Sequence, residues 1–155
     1  MDPVTVSRHV EAPPEVVWEL TTDIAGSPRT LTGVVRVEML TEPPFRVGTR
    51  WRETRVMMRR EATEEMWVTE IDPGTSYTVE AESNGMHYRT VVTVAASPGG
   101  GTDLAMTFSG TPTHVVSRVL GAIMNPFVRR SIEGMVGKDL DDLAAAAQSR
   151  TTGPD

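Results

Sequence analysis

Apolar and polar residues alternate along much of the chain and then fall into a helical stripe toward its end. Val4-Thr-Val-Ser-Arg-His-Val10 alternates with period two and predicts a first strand. Glu11-Ala-Pro-Pro-Glu-Val-Val-Trp-Glu-Leu20 breaks that pattern. Proline suits the first turn of a helix, where its missing N–H would be unpaired anyway, so a helix is expected from Pro13 or Pro14 to about Leu20. A helix so short has little stability of its own and must be held from outside. Thr21, Thr22 and Asp23 offer caps for a second short helix, whose length Pro28 limits.

Period-two segments follow. Val35, Val37 and Met39 alternate up to Pro43-Pro44, and Trp51 to Met58 follows Gly48. Thr63 to Ile71 then leads to a turn at Asp72-Pro73-Gly74-Thr75. Tyr77 to Ser83 ends at Asn84-Gly85, a strong two-residue hairpin signal. Met86 to Val94 runs into the glycine-rich turn Ser97 to Thr102, and Leu104, Met106 and Phe108 close the series. After Pro112 the period becomes 3.6, with Val116, Leu120, Ile123, Phe127, Ser131, Met135, Val136, Leu140 and Leu143 along one stripe. Pro126 is expected to kink or interrupt that helix. The order is one strand, two short helices, six strands and a long helix. No repeat or linker divides it, so we read one domain over residues 1–150 and a flexible tail over 151–155.

Composition narrows the possibilities. A chain of 155 residues with 39% apolar and 23% charged side chains has the balance of a soluble globular domain. It is long enough to bury roughly 68–70% of its unfolded surface. No run approaches the ~18 apolar residues of a membrane span. Met1-Asp2-Pro3 lacks a basic or apolar leader, so no signal peptide is expected and a cytoplasmic location fits. The formal net charge of −6 argues against nucleic acid or an anionic membrane as partner. With no cysteine there is no disulfide and no thiolate chemistry. Arginine outnumbers lysine, of which Lys138 is the only one; with the abundant Ala, Gly and Pro this suggests a bacterial source.

The segments VTVSRHVEAPPEVVWELTTDI, VGTRWRE, GGGTDLAM and GKDLDDLAAAA, in that order, resemble the START-like superfamily of polyketide cyclases and lipid-transfer proteins. The resemblance spans nearly the whole chain. It implies an α+β helix-grip fold: a curved seven-stranded antiparallel sheet around the long C-terminal helix, with a cavity between them. The two short helices would plug one end of the sheet, with Val16, Val17, Trp18 and Leu20 facing inward. Trp18 equally suits plain core packing.

Turn chemistry phases the strands. A two-residue turn at Asn84-Gly85 pairs Ser83 with Met86, Ala81 with Tyr88, Val79 with Thr90 and Tyr77 with Val92 on a mostly apolar, concave side. Glu82 then meets His87 and Glu80 meets Arg89 on the solvent side, which takes His87 away from the cavity. The next turn back sets Val68 opposite Val79, Met66 opposite Ala81 and Glu70 opposite Tyr77. A tight turn near Arg60-Glu61 puts Trp51, Glu53, Arg55 and Met57 inside. A loop one residue longer puts Arg52, Thr54, Val56 and Met58 there instead.

The expected ligand-binding set from the sheet is Trp51, Glu53, Arg55, Met66, Val68, Tyr77, Val79, Tyr88, Met106 and Phe108. The helix would add Leu120, Ile123, Met124 and Phe127. A buried carboxylate and guanidinium cost several kcal/mol each unless paired or wet, so Glu53 and Arg55 either pair with neighbours or anchor a ligand in a partly hydrated pocket. Gly121, Gly134 and Gly137 in the helix allow close packing on the sheet or leave room for a ligand. Nine methionines supply adaptable lining or ordinary filling.

No HExxH, paired histidines or EF-hand loop occurs, so neither metal nor cofactor is expected. Gly99-Gly100-Gly101-Thr102 is a hairpin turn rather than a phosphate loop, and no nucleophile elbow is present. His9 falls on the solvent side of the first strand, and His114 borders the expected pocket mouth. Three functions fit. The first is binding or carriage of a small hydrophobic molecule (a lipid, an isoprenoid quinone or a polyketide-like aromatic) without stable membrane insertion. The second is a cyclase or dehydratase with Glu53 as base, Arg55 as oxyanion anchor and Tyr77 or Tyr88 as donor. The third is an interaction or regulatory module using HVVSRVLGAIMNPFVRR as a docking face, a segment that would otherwise serve as a lid hinged at Asn125-Pro126. Oligomeric state stays open.

Overall fold

The computed structural model describes residues 2–57, 59–113 and 126–152. Strand β1 (Val4–Val10) is followed by helices α1 (Pro14–Thr22) and α2 (Ser27–Thr30). Six strands come next: β2 (Val34–Met39), β3 (Arg50–Met57), β4 (Arg60–Asp72), β5 (Ser76–Ser83), β6 (Met86–Ala96) and β7 (Thr102–Pro112). Helix α3 (Pro126–Thr152) completes the fold. The strands form one antiparallel sheet of seven in the order β1-β7-β6-β5-β4-β3-β2, the helix-grip arrangement. Every neighbouring pair except β1–β7 is consecutive in sequence, so short hairpins set most of the registers.

The β5–β6 hairpin has the expected geometry. Asn84 and Gly85 both take positive φ, 51° and 76°, and Ser83 pairs with Met86 through to Tyr77 with Val92. Preceding it, β4 and β5 pair Met66 with Ala81 and Val68 with Val79 as expected. A bulge between Val68 and Glu70 then corrects the expected Glu70–Tyr77 pairing: Ile71 lies opposite Tyr77, and Glu70 opposite Thr78. The bulge absorbs the extra residue of the turn and turns Glu70 outward toward Arg89, at 3.7 Å.

Met57 pairs with Arg60, which sets the β3–β4 connection two residues earlier than expected. The shift changes each partner by an even number of residues, so the faces are kept: Trp51 pairs with Met66 and Glu53 with Glu64. Another bulge in β2, between Val34 and Arg36, buries Val34 and leaves Val35 and Met39 largely exposed.

The short α1 is held as its length demands. Val17 and Leu20 are buried in the main core with Leu104 and Leu140, and Trp18 meets Tyr77 edge-on at 5.8 Å. The Tyr77 hydroxyl donates to the Thr21 carbonyl at 2.7 Å, satisfying an acceptor that the helix end leaves open. α1 reaches Thr22, and Pro28 lies in the first turn of α2 rather than ending a helix begun at Thr21–Asp23.

Pro126 is the first described residue of α3, so the kink expected there falls at the edge of the described residues. The helix runs to Thr152, into the span expected as tail. It lies against β1, where a side chain on Gly137 would come within 2.9 Å of the Arg8 guanidinium, so glycine there serves close packing. A Cβ on Gly134 would meet nothing within 4 Å among the described residues, while Gly121 lies outside them.

Candidate functional site

Between α3 and the inner face of the sheet lies a cavity of about 950 Å³. The hairpin registers turn alternate residues of β3 to β7 toward it, and many of these reach its wall. Trp51, Glu53, Arg55, Met66, Tyr77, Val79, Tyr88, Met106 and Phe108 line it, all expected from sequence. Phe127 lines it from the first turn of α3, three-quarters exposed. Val68 is the departure: it is 1% exposed, packs with Ile24 and Trp51, and does not reach the cavity. Leu120, Ile123 and Met124 lie outside the described residues, as does His114.

Sequence reasoning missed the helix side of the polar wall. Asp139, 8% exposed, receives both arms of Arg55: Nη1 donates to Oδ1 at 3.0 Å and Nη2 to Oδ2 at 2.9 Å. Arg55 Nε also donates to Glu53 Oε2 at 3.4 Å, so one guanidinium bridges two buried carboxylates. Asp139 stands among Lys138, Asp141 and Asp142, and nothing local marks which of these turns inward. Gly33 belongs to the same cluster, since a Cβ there would lie 3.0 Å from Arg55 Nη1. Ile24, Leu31 and Val136 complete the wall near it.

The electrostatics follow from burial. Loss of water pushes the Glu53 carboxyl above its ordinary value, against the opposing pull of Arg55. Asp139 is pushed up by burial too, while its two bonds from Arg55 pull the other way. Burial works against the Arg55 charge, but the bonds it donates to Asp139 and the field of both carboxylates outweigh it and its pKa is raised. Beside Glu53, the Trp51 indole is 2% exposed, and its buried Nε1–H forms no full hydrogen bond among the described residues. It stands near enough to favour the Glu53 carboxylate, short of forming a bond with it.

The tyrosines divide. Burial pushes the Tyr77 phenol far up and its hydroxyl is engaged by Thr21, so it is not available as a donor to a ligand. Tyr88 stacks on Phe108 at 5.5 Å, and no hydrogen bond holds its hydroxyl among the described residues. Both described histidines stand away from the cavity. His87 Nε2 and Nδ1 lie 2.7 and 3.1 Å from Glu80 and Glu82, which raise its pKa in that order. His9 sits between Asp103 and Glu11, which raise it likewise. No group of three or more potential metal ligands occurs among the described residues.

The family model described as "Polyketide cyclase / dehydrase and lipid transport" matches residues 1–148. The chain belongs to that family. No curated protein matches it. Solved structures resemble this polyketide cyclase/dehydrase family chain over nearly its full length. A START superfamily protein from Mycobacterium smegmatis superposes with a TM-score of 0.78 at 10% identity, covering 96% of this chain and 98% of that one. The Zhui aromatase/cyclase from Streptomyces sp. R1128 gives 0.75 at 19%, covering 98% and 96%. TTHA0849 from Thermus thermophilus gives 0.78 at 19%, covering 97% and 100%. At these identities the likeness is one of fold. The cavity and its polar wall, Glu53–Arg55–Asp139 with Trp51, are read from this chain's own residues.

Proposed function

We propose that the protein binds and carries a small hydrophobic molecule in the cavity between α3 and the sheet. One observation carries this: a space of about 950 Å³ whose wall is mostly apolar and partly aromatic. That volume lies in the range of small-molecule sites, where a few polar groups orient an otherwise apolar ligand. Lipids, isoprenoid quinones and polyketide-like aromatics have that composition. None of the helices is long and apolar enough to cross a membrane among the described residues. A cytoplasmic carrier with no nucleic-acid partner suits the net charge of −6.

The test is native mass spectrometry of protein purified from its own host, with organic extraction of whatever is bound. A stoichiometric apolar compound is the expected result. A protein that is reproducibly empty and takes up no lipid, quinone or aromatic probe overturns the reading.

A second reading is favoured by the polar wall. A carboxyl with a raised pKa beside a guanidinium, both on the cavity wall, is a combination suited to moving a proton next to a carbonyl that the cation polarises. In a cyclase or dehydratase, Glu53 would take the proton and Tyr88 would be the remaining tyrosine donor. Loss of turnover of a poly-β-keto thioester analogue in Glu53→Gln, with its binding kept, is the result expected of an enzyme.

A further inference from the structure

The two edges of the sheet differ. β1, at one edge, is packed against α3. β2 is the other edge, and among the described residues it pairs with β3 and with no second strand. Leu40 N donates to the Arg50 carbonyl at 2.9 Å, just past the Met39–Trp51 pair. Backbone groups alternate along an antiparallel strand, so Arg36 and Glu38 also turn theirs to β3, while Val37 and Met39 turn theirs outward. The described residues on either side of 114–125 are held elsewhere on the sheet. Thr113 bonds to the Gly85 carbonyl at the β5–β6 turn, and Arg129 to the carbonyls of Asp2 and Pro3 before β1. Outward N–H and C=O groups on an edge are a template for another strand.

The side chains of β2 complement themselves. With a second copy laid antiparallel and Val37 opposite Val37, Arg36 of each copy falls opposite Glu38 of the other. Moving the centre by one residue sets Arg36 against Arg36 or Glu38 against Glu38, so charge selects the register. Val37 and Met39 pair with the inward Glu53 and Trp51, which leaves Arg36 and Glu38 on the outer face, 64% and 66% exposed. Within the chain they touch Glu61 at 3.6 Å and Arg52 at 3.4 Å, contacts too long and too wet to contribute much. Pairing joins these into a row of alternating sign: Arg52, Glu38, then Arg36 and Glu61 of the second copy. The bulge between Val34 and Arg36 ends the regular strand, so the contact is short and the association weak.

We propose that β2 is an interface with a second copy of this chain, an antiparallel two-fold pairing centred on Val37 that joins two sheets into one. Arg36 to Met39 lie outside the cavity wall apart from any ligand it holds, so the proposal stands independently of the cavity-binding reading.

The experiment is sedimentation velocity of the purified full-length protein in about 0.15 M salt, where the repulsion between two copies of net charge −6 is largely screened. Between about 5 and 500 µM the protein should pass from monomer to dimer and stop there, since a two-fold contact uses both edges. Arg36→Glu sets like charges across the pairing, and Glu38→Arg does so with the opposite sign. Each alone should weaken dimerisation about tenfold or more. An equimolar mixture of these two variants brings opposite charges together at both positions and should dimerise again. Val37→Pro removes an outward N–H that β3 does not use, which an edge strand tolerates. It should abolish the dimer while circular dichroism shows the sheet intact.

A protein that stays monomeric over the whole range overturns the proposal and leaves the edge to an extended segment of another protein. Dimers that form equally well in all three variants lie on another surface and overturn it too. Association that continues past the dimer overturns the two-fold geometry. A mixture that stays monomeric at concentrations where the unaltered protein dimerises overturns the charge pairing.

Discussion

Arg55 on β3 and Asp139 on α3, 84 residues apart in sequence, meet through two hydrogen bonds of 3.0 and 2.9 Å. This pair ties the helix to the sheet at the polar end of the cavity. Its two side chains are 14% and 12% exposed, so its charges are poorly screened and each depends on the other.

Removing either partner should therefore cost stability, but unequally. Asp139→Ala leaves Arg55 with Glu53, and a loss of about 3 kcal/mol is expected. Arg55→Ala leaves two buried carboxylates facing each other and should cost more at pH 8. Protonation relieves that repulsion, so its deficit should shrink at pH 5. Urea denaturation of both variants at the two pH values checks this; a deficit in Arg55→Ala independent of pH would count against it.

The carboxyl of Glu53 titrates higher in the folded protein than in the unfolded chain because burial disfavours its charge. Folding therefore favours its protonated form. That contribution is complete below the unfolded value near 4.5 and is lost as pH rises through the raised folded value. Glu53→Gln is neutral throughout. It should match the unaltered protein at pH 4 and exceed its stability at pH 8. Lower stability of the variant at pH 8 would mean that Arg55 needs both carboxylates.

Gly33 leaves Arg55 room to reach Asp139. A methyl group there would stand 3.0 Å from Nη1, tighter than ordinary contact, so Gly33→Ala is expected to cost about 1 kcal/mol. The cost should fall in an Asp139→Asn background, where Arg55 is free to move aside. A double-mutant cycle measures the coupling, and strict additivity would place the effect elsewhere.

Tyr77→Phe removes the donor that satisfies the Thr21 carbonyl at the end of α1. A loss of about 1–2 kcal/mol is expected, with faster amide exchange confined largely to α1. Uniformly faster exchange across the sheet would instead point to a packing defect in the core around Tyr77.

His87 binds its proton more tightly than a free histidine because Glu80 and, next, Glu82 hold it. An NMR titration should place its midpoint above 6.5, and Glu80→Gln should lower it more than Glu82→Gln does. Stability from this group is full below 6.5 and is lost as pH rises through the raised value.

The sheet was legible because its information is local. Asn84-Gly85 needs two positive-φ residues, and that requirement alone phases β5 against β6 and puts Tyr77, Val79 and Tyr88 on one face. Glu53 and Arg55 came to the same wall through a chain of short turns, and they kept their face when one turn lay two residues from its expected place, because the pleat repeats every two residues. The bulge after Val68 was not legible, since it compensates a turn length that no single residue announces.

The tertiary structure alone decided what Arg55 is paired with. The rotation of α3 about its own axis is set by packing along its whole length, down to the approach of Gly137 to Arg8, and no turn encodes it. That rotation picks Asp139 out of the acidic run and turns it inward. So the sequence by itself narrowed the inward charges of β3 to two alternatives, through backbone rules of short range, and the pairing of Met57 with Arg60 selected Glu53 and Arg55. Which helix carboxylate neutralises the guanidinium arose only when residues 84 apart were packed together.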